Sequence, residues 1–294
     1  MLKIGIIGLS EGNGHPYSWS AIFNGYNKRE MAQCGFPVIS DYLSQRVFPA
    51  ETIKGAEVTH IWTQDKELTV RVANSALISV ACTDIEQMLN EVDAFLLARD
   101  DWQSHLDIGI PLLKTGKPVF IDKPISIRSH DLSTLLSSQM YAGQIFSCSS
   151  LRFSSQLRLS DSKKNTLGKI RLIKGLIPNS WEKYSVHLID PIVAEFASDV
   201  SIRRLNTFKE EGYHSVHVVW SSGLISEFST CGSLPSKVQI ELVGEKSSET
   251  IIWNDAFSSF KASLEYFYEI VQSKNPIIED EHHRKVVSII EAGL

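Results

Sequence analysis

Short apolar runs alternate with segments of helical spacing over the first 125 residues of the chain. The run at residues 3–9 (KIGIIGL) is rich in β-branched side chains, which predicts a strand buried on both faces. Further strands are predicted at residues 58–62, 77–80, 93–98 and 119–121, and helices at 17–26, 66–75, 85–90 and 105–114. Because strands that alternate with helices form a parallel sheet covered on both faces, this part is predicted to be a doubly wound α/β domain.

The pattern changes after residue 124. Strand candidates now follow one another at residues 145–151, 169–175, 215–220, 223–229 and 237–243, with helices predicted at 131–141, 257–273 and 283–292. The segment Ser221-Ser222-Gly223 has the composition of a hairpin turn. Consecutive strands with few helices between them predict a second α/β domain with an open, mostly antiparallel sheet. We therefore predict two domains, at residues 1–124 and 125–294.

Composition and charge narrow the class of protein. The chain has 294 residues, enough for two domains with separate cores, and 43% of them are hydrophobic. The formal net charge of −5 provides no global basic field for nucleic acid or an anionic membrane, so neither partner is expected. The first apolar run ends at Leu9, too early for a secretory signal, and no run approaches the roughly 18 apolar residues of a membrane span. We expect a cytoplasmic protein.

A glycine-rich turn follows the first strand, with the sequence Gly8-Leu9-Ser10-Glu11-Gly12-Asn13-Gly14-His15. Glycines allow the backbone to approach a pyrophosphate, and the N-terminus of the next helix offers N–H groups to it. The strict dinucleotide fingerprint would need glycine at Ser10 and Asn13, so the pattern is degenerate. It leaves two interpretations open, a dinucleotide site or a turn without a ligand.

The end of the second strand bears on the choice of cofactor. Folds that prefer NAD often place an acidic residue there for the ribose hydroxyls. This position holds Thr63, and Asp65 follows two residues later. The missing acid leaves both NAD and NADP open, and the alternative is a helix start capped by Thr63 or Asp65.

Residues 27–56 are longer than a connection between the first helix and the second strand requires. They include Cys34-Gly35-Phe36-Pro37 and Phe48-Pro49. We predict an inserted loop with short helical pieces near the mouth of the ligand site.

A candidate for chemistry occurs at the last strand of the first domain, in the segment Gly116-Lys117-Pro118-Val119-Phe120-Ile121-Asp122-Lys123-Pro124. A lysine at the carboxyl end of a parallel strand points into the ligand crevice and can polarise a hydroxyl or carbonyl. Asp122 beside it is expected to hold the Lys123 ammonium, and Pro124 fixes the exit of the chain. The alternative is a surface lysine in a turn.

From residue 3 to about residue 124 these features resemble the Gfo/Idh/MocA family, which includes glucose–fructose oxidoreductase and inositol dehydrogenase. The most specific part is the segment ending in Asp122-Lys123-Pro124, which resembles that family's Glu-Lys-Pro signature with Asp122 in place of Glu. Residues 93–105 resemble the strand and loop that pass under the nicotinamide, with Arg99-Asp100 after Ala98 where the family has Thr-Pro. The resemblance implies a Rossmann domain and a second α/β domain, with NAD(P)-linked chemistry on sugars or cyclitols.

The resemblance also implies an acid/base residue in the second domain. The segment 181–190 is similar to the family's D-x-x-x-H-x-x-D pattern, with His187 and Asp190 matching and Lys183 in place of the first Asp. A histidine can take the proton from a substrate hydroxyl because its pKa is near neutrality. Tyr184 lies on the same helical face and, like Lys123, is expected to share the task.

We therefore expect an NAD- or NADP-dependent oxidoreductase that transfers a hydride to or from a sugar, cyclitol or nucleotide sugar bound between the domains. The cofactor is expected to contact residues 8–10, 12–15, 63, 98–100 and 122–124. Two alternatives remain open, a non-catalytic dinucleotide-binding regulator and an enzyme that uses tightly bound NAD transiently for sugar hydrolysis or epimerisation. No metal is expected, since His282 and His283 lie in a charged run typical of a solvated helix start. By analogy with the family, a homodimer or homotetramer is expected through the second sheet.

Overall fold

The computed structural model describes residues 1–273 and 276–294, which form two compact units. The first unit comprises Met1–Ile125, Ser133–Ser147 and Phe260–Glu279. The second comprises Ser126–Leu132, Cys148–Ser259 and Asp280–Leu294. Each unit is built on its own six-stranded sheet.

The first sheet is parallel throughout. Its strands are β1 (Leu2–Ile7), β2 (Ala56–Trp62), β3 (Val80–Ala81), β4 (Ala94–Leu97), β5 (Val119–Ile121) and β6 (Ile145–Phe146). They lie in the order β3-β2-β1-β4-β5-β6, which confirms the doubly wound, Rossmann-type prediction. Strands β4 and β5 and the last four residues of β1 are buried, because both of their faces are covered. The strand order changes direction between β1 and β4, and ligands of such sheets bind at the carboxyl ends of the strands there.

Helices connect these strands. They are α1 (His15–Asn24), α2 (Lys28–Met31), α3 (Pro37–Ser44), α4 (Lys66–Ser75), α5 (Glu86–Leu89), α6 (His105–Leu113) and α7 (Ser129–Ser137), with a 3₁₀ turn at Trp102–Ser104. Helices α2 and α3 are the short helical pieces predicted for residues 27–56. Asp65 caps α4 by accepting a hydrogen bond from the Leu68 N–H at 2.7 Å.

The second sheet is mixed and mostly antiparallel, as predicted. Its strands are β7 (Ile170–Ile177), β8 (Ile202–Glu210), β9 (Tyr213–Trp220), β10 (Ile225–Thr230), β11 (Gln239–Gly244) and β12 (Ser248–Ile252), in the order β12-β11-β7-β10-β9-β8. Only the β7–β10 pair among these is parallel. The predicted hairpin turn joins β9 to β10, and Gly223 has a φ of 85°, which glycine adopts readily.

The remaining helices follow in chain order as α8 (Asp161–Leu167), α9 (Trp181–Tyr184), α10 (Val186–Phe196), α11 (Ala256–Gln272) and α12 (Asp280–Ala292), with a 3₁₀ turn at Ser150–Phe153. In the second unit Leu188 of α10 packs against the sheet, because Gly175 of β7 leaves no Cβ in its way. Among the residues described, no helix combines the length and the apolar character needed to cross a lipid bilayer.

Two elements belong to a different sheet or unit than the sequence predicts. The strand candidate at 145–151 is reduced to β6, which pairs in parallel with β5 in the first sheet. Most of α11 also belongs to the first unit, where Phe267 packs 5.5 Å from Phe120 and 6.1 Å from Phe146, measured between ring centroids. Both elements complete an aromatic core that residues 1–124 leave uncovered, so the first unit is not one continuous stretch of chain.

Candidate active site

Side chains fill two positions of the glycine-rich turn where the dinucleotide fingerprint has glycine. The Ser10 hydroxyl donates a hydrogen bond to Asp100 Oδ1 at 2.7 Å, just beyond the end of β4. The Asn13 amide donates to Asp122 Oδ2 at 2.8 Å, just beyond the end of β5. Both side chains are buried. The departures from the fingerprint therefore tie the turn to two carboxylates at the carboxyl edge of the sheet.

The backbone of the turn keeps the donors that a diphosphate needs. Within the described residues, no hydrogen-bond acceptor faces the N–H groups of Ser10, Glu11, Gly12 and Gly14. Helix α1 begins at the next residue, so its positive dipole end lies there. Gly12 is exposed, and a Cβ built on it meets no atom within 4 Å. These donors fit the diphosphate of a dinucleotide.

The inserted segment packs directly on this turn. A Cβ on Gly14 would lie 2.8 Å from Phe36 and would also collide with Ile39. Phe36 precedes α3, and its ring centroid is 6.1 Å from that of Tyr17 in α1. Glycine at position 14 is thus required by the close approach of the insertion.

Thr63 and Asp65, at the end of β2, take the capping role that the sequence leaves open. The Thr63 hydroxyl donates to the Asp65 carbonyl oxygen at 2.7 Å, and both residues help to start α4. Between them, Gln64 Oε1 accepts hydrogen bonds from the Leu9 N–H at 3.2 Å and from Arg99 at 3.0 Å. Gln64 therefore joins the ends of β2 and β4 to the glycine-rich turn, a role that sequence reasoning missed.

Lys123 lies at the carboxyl end of β5 and is buried, with 7% of its surface exposed. Its Nζ atom is 3.6 Å from Oδ2 of Asp100. The sequence predicts Asp122 as the residue that holds this ammonium, but the ion pair at Lys123 Nζ is formed by Asp100. Asp100 reaches the ammonium because it follows β4, which is adjacent to β5 in the sheet.

Asp122 is instead held by the start of α1. Its Oδ2 lies 2.6 Å from His15 Nδ1 and also accepts the Asn13 bond, while its Oδ1 accepts the Lys123 backbone N–H at 2.7 Å. Burial alone would raise the pKa of Asp122, but the charge and hydrogen bond of His15, with Lys123 and Asn13, outweigh it and lower the pKa to about 2. Asp122 is therefore an ionised anchor between the glycine-rich turn and the lysine.

A second polar cluster lies in the second unit around His187, the first-turn residue of α10. Ser149 Oγ is 2.8 Å from His187 Nδ1, and the Ser149 backbone N–H donates to Asp190 Oδ2 at 2.8 Å. Asp190 thus holds the backbone of Ser149, whose hydroxyl contacts His187. The Tyr184 ring lies 6.0 Å from the His187 ring, measured between centroids. The structure therefore brings together the three second-unit residues that the sequence predicts as catalytic.

Asp190 also binds His282, at 2.5 Å between Oδ1 and Nε2, and Arg152 Nη1 lies 3.9 Å from the same oxygen. Burial would raise the pKa of Asp190, but these partners and the Ser149 N–H lower it. The prediction of a solvated helix start at His282 and His283 is wrong: the side chain of His282 is only 13% exposed and His283 is buried. Both histidines lie near the start of the amphipathic helix α12, in which Glu281 and Arg284 are exposed and His283 is buried.

Sequence reasoning missed Gln64, Ser149, Arg152 and His282 because their partners are far away along the chain. His282 and Asp190, for example, are 92 residues apart.

The remaining predicted cofactor residues, Gly8 and Ala98, form part of the strand ends: a Cβ on Gly8 would lie 2.9 Å from the Ala98 carbonyl oxygen. Pro124 follows Lys123 at the end of the same segment.

Solved structures with this fold include two dehydrogenases and a ketoreductase. A myo-inositol 2-dehydrogenase from Lactobacillus plantarum has a TM-score of 0.72 at 14% identity, covering 99% of this chain and 95% of that chain. A variant 3-ketoreductase from Actinomadura kijaniata, in complex with TDP-benzene and NADP, has a TM-score of 0.71 at 14% identity, covering 99% and 96%. A UDP-N-acetylglucosamine 3-dehydrogenase from Acidithiobacillus ferrooxidans has a TM-score of 0.69 at 10% identity, covering 98% and 95%.

No curated protein matches the sequence. The oxidoreductase family with an NAD-binding Rossmann fold, Gfo/Idh/MocA, matches residues 2–149, half of the 294-residue chain. That range contains the glycine-rich turn, Asp100, Asp122 and Lys123. The chain belongs to the Gfo/Idh/MocA oxidoreductase family.

Proposed function

We propose that this protein is an NAD(P)-dependent oxidoreductase that transfers a hydride between the nicotinamide and a hydroxyl or ketone of a sugar, cyclitol or nucleotide sugar. One observation carries the proposal: a buried lysine, Lys123, lies at the carboxyl edge of the parallel sheet with its ammonium beside Asp100. The same edge carries the glycine-rich turn. The cation can polarise a substrate hydroxyl or carbonyl, and the cradle would hold the cofactor at the same sheet edge.

The first unit supplies the residues that would hold the cofactor. The free N–H groups of Ser10, Glu11, Gly12 and Gly14 would bind the diphosphate, and Ala98, Arg99 and Asp100 would border the nicotinamide. When bound, the nicotinamide ring supplies or accepts the hydride. At the end of β2 the side chains are Thr63 and Gln64 rather than an acid, so this end of the site leaves both NAD and NADP open.

Lys123 and His187 divide the proton chemistry. The Lys123 ammonium donates a hydrogen bond to the substrate oxygen and stabilises negative charge that develops on it. His187 takes or gives the hydroxyl proton, and the Ser149 contact at Nδ1 orients its ring for that task. Tyr184 and Asp190 support this histidine, Asp190 by holding Ser149. Lys183 stands where the family pattern has an acid, and Ser149 Oγ lies at His187 Nδ1.

The names of the solved relatives support the substrate class. One is a myo-inositol 2-dehydrogenase, one is a 3-ketoreductase in complex with TDP-benzene and NADP, and one is a UDP-N-acetylglucosamine 3-dehydrogenase. At this level of identity they share the fold with this chain, and turnover decides among these substrates.

The direct test is turnover of a panel of sugars, cyclitols and nucleotide sugars with NAD, NADP and their reduced forms. The change in nicotinamide absorbance is followed, and products are identified by mass spectrometry. Net cofactor oxidation or reduction that matches product in amount supports the proposal. Product without net change of the cofactor would show transient use of NAD, and cofactor binding without any product would show a regulatory role.

We also propose that two copies associate through the outer face of the second sheet. Helix α10 packs on one face, at Gly175, whereas the other face exposes apolar side chains such as Phe208, Ile225 and Ile252. Lys174 and Glu241 pair across that face at 3.7 Å. Analytical ultracentrifugation of the protein and of a Phe208→Glu, Ile225→Glu variant tests this: a dimer or tetramer that dissociates in the variant supports it, and a monomeric parent contradicts it.

A further inference from the structure

Helix α12 packs against α10 within the second unit, and two of its side chains reach that helix. His282 Nε2 lies 2.5 Å from Oδ1 of Asp190 in α10. One turn further along α12, Lys285 Nζ donates to the carbonyl oxygens of Ala197 and Ser198, both at 2.8 Å. These carbonyls follow the C-terminus of α10, where the helix dipole favours a cation. The two contacts together fix the start of α12 beside Asp190.

The other end of α12 holds the short helix that precedes α10. The indole N–H of Trp181, in α9, donates to the Ile290 carbonyl oxygen at 2.8 Å. Gly293 lies against the same indole so closely that a Cβ there would collide with the ring. Helix α9 ends at Tyr184, whose ring lies 6.0 Å from that of His187. Helix α12 therefore contacts both α9 and α10, the helices that carry Tyr184 and His187.

Asp190 is a buried carboxylate with both oxygens engaged. Its Oδ2 accepts the Ser149 N–H at 2.8 Å, and its Oδ1 faces His282. Arg152 Nη1 is 3.9 Å from Oδ1, which is too far for a hydrogen bond. Burying a carboxylate costs free energy unless hydrogen bonds replace those that water made. His282 supplies that hydrogen bond at Oδ1.

The carboxylate determines which nitrogen of His282 carries a proton. Burial would raise the pKa of Asp190, but the hydrogen bond and charge of His282, followed by Arg152 and the Ser149 N–H, lower it. The ionised carboxylate only accepts hydrogen bonds, so Nε2 of His282 is protonated and donates to Oδ1. The amide N–H of a glutamine can take the place of this donor, whereas a leucine has none.

The contact reaches His187 through Ser149. The Ser149 side chain caps the 3₁₀ turn Ser150–Phe153, and its Oγ accepts the Leu151 N–H at 3.2 Å. The same Oγ lies 2.8 Å from His187 Nδ1, while the Ser149 backbone N–H is held by Asp190. A displaced Asp190 carboxylate would therefore release the residue that orients the imidazole.

We propose that His282 is a positioning residue for His187, which it orients through Asp190 and Ser149 rather than by touching the substrate. The inference rests on the proposed function, because it assumes that His187 moves the substrate proton. Helix α12 lies beyond residues 2–149, which match the family, so this support comes from a part of the chain outside the family match.

Histidine NMR of the full chain tests the positioning without any substrate. The protein carries isotope-labelled histidine, and the His187→Gln variant identifies the His187 signals. In His282→Leu we expect the titration midpoint of His187 to rise by at least about half a pH unit, roughly a threefold change in proton affinity. The reason is that the Asp190 charge, which favours a protonated imidazole nearby, has lost a donor.

Two further variants make this shift specific. His282→Gln keeps a donor at Asp190 and should return the His187 midpoint to that of the parent. Exposed His130→Gln is the matched control and should leave the midpoint unchanged. Arg152, Tyr184 and His283 also border the network, and all three are retained in these variants.

Steady-state kinetics provide a second readout. With a substrate that the turnover panel identifies, His282→Leu should lower kcat about tenfold, a part of the 10²- to 10⁴-fold that general acid–base catalysis contributes. KM should stay within about twofold of the parent value, because the substrate contacts are unchanged. His282→Gln should restore kcat. Circular dichroism and urea unfolding confirm that each variant is folded under the assay conditions.

The results distinguish a positioning residue from a structural one. A less stable His282→Leu variant with an unchanged His187 titration and unchanged kcat would make His282 merely structural and overturn the proposal. A His282→Gln variant that behaves like His282→Leu would overturn the role of the Nε2 donor. A panel without hydride transfer refutes the proposed function, and the NMR titration then decides by itself whether His282 is coupled to His187.

Discussion

Nδ1 of His15, the first residue of α1, lies 2.6 Å from Oδ2 of Asp122, the residue that follows β5. The contact joins the helix whose N-terminus borders the glycine-rich turn to the segment that carries Lys123. It also orders the imidazole, which stacks on Trp19 with ring centroids 4.8 Å apart. The cofactor cradle and the proposed catalytic lysine are thus connected through one buried carboxylate.

The Asp122 carboxylate predicts a pH dependence of stability. Its pKa is lowered to about 2 in the folded protein, below the ordinary value of 3.8, so its contribution is present above pH 4 and is lost as the pH falls toward 2. As the pH is lowered from 6 to 2, we expect the free energy of unfolding of Asp122→Asn to fall by roughly 2 kcal/mol less than that of the parent. Urea titrations between pH 2 and 6 measure it, with exposed Asp41→Asn as the control. Parallel pH curves for parent and Asp122→Asn would contradict the assignment.

The contact between the insertion and the glycine-rich turn predicts a rescue experiment. Gly14→Ala places a Cβ against Phe36 and Ile39, so we expect a loss of about 1–3 kcal/mol of stability. Adding Phe36→Ala relieves the collision, and the double variant should then be more stable than the sum of the single effects predicts. Thermal and urea unfolding measure this coupling. If the stability changes of Gly14→Ala and Phe36→Ala simply add in the double variant, the two residues are not in contact.

Replacing Lys123 tests the proposed catalytic cation. With a substrate that the turnover panel identifies, Lys123→Ala is expected to lower turnover by about 10²- to 10⁴-fold, because hydrogen bonding to the reacting oxygen is lost. Exposed Lys114→Ala should leave turnover unchanged. Asp100→Asn removes one carboxylate charge beside the buried ammonium and is expected to cost about 1–3 kcal/mol in stability as well. Turnover of Lys123→Ala within a few-fold of the parent would remove Lys123 from the chemistry.

Ser149 is expected to act through His187 rather than on the substrate. His187→Ala should lower turnover by about 10²- to 10⁴-fold. Ser149→Ala removes the hydroxyl at His187 Nδ1, so we expect a smaller loss, about tenfold, together with a shifted pH–rate profile. Ser149→Thr, which keeps the hydroxyl, should restore both. A pH–rate profile of Ser149→Ala identical to the parent's would mean that Ser149 is only structural.

Local patterns were sufficient for much of the fold. Strands β1, β4 and β5 are continuous apolar runs, and α4 and β5 occur at the predicted residues, because burial on both faces leaves a clear signal in the sequence. Strand β8 escaped prediction since it is an exposed edge strand with four charged residues in IRRLNTFKE, and β12 is likewise at an edge. The two-residue strand β6 is defined only by its pairing with β5.

The site was predictable where chemistry follows directly from a strand end, as at Lys123 and the glycine-rich turn. Its partners were not, because a hydrogen bond between Ser10 and Asp100, or between Asp190 and His282, depends on the packing of elements about 90 residues apart. The same reason explains why the Lys123 ammonium pairs with Asp100, whereas the sequence predicts Asp122. Adjacent strands, rather than adjacent residues, decide which carboxylate reaches Lys123.

Binding of the reduced nicotinamide cofactors tests the central claim most directly. The purified full chain, freed of any cofactor carried through purification, is titrated with NADH and separately with NADPH while nicotinamide fluorescence is followed. Gly12→Val, which forces a branched side chain onto a φ of 77° at the proposed diphosphate cradle, serves as the matched variant. We predict saturable binding of at least one form by the parent and a loss of at least tenfold in the variant. Absence of saturable binding by the parent would contradict the assignment of this protein as an NAD(P)-dependent oxidoreductase.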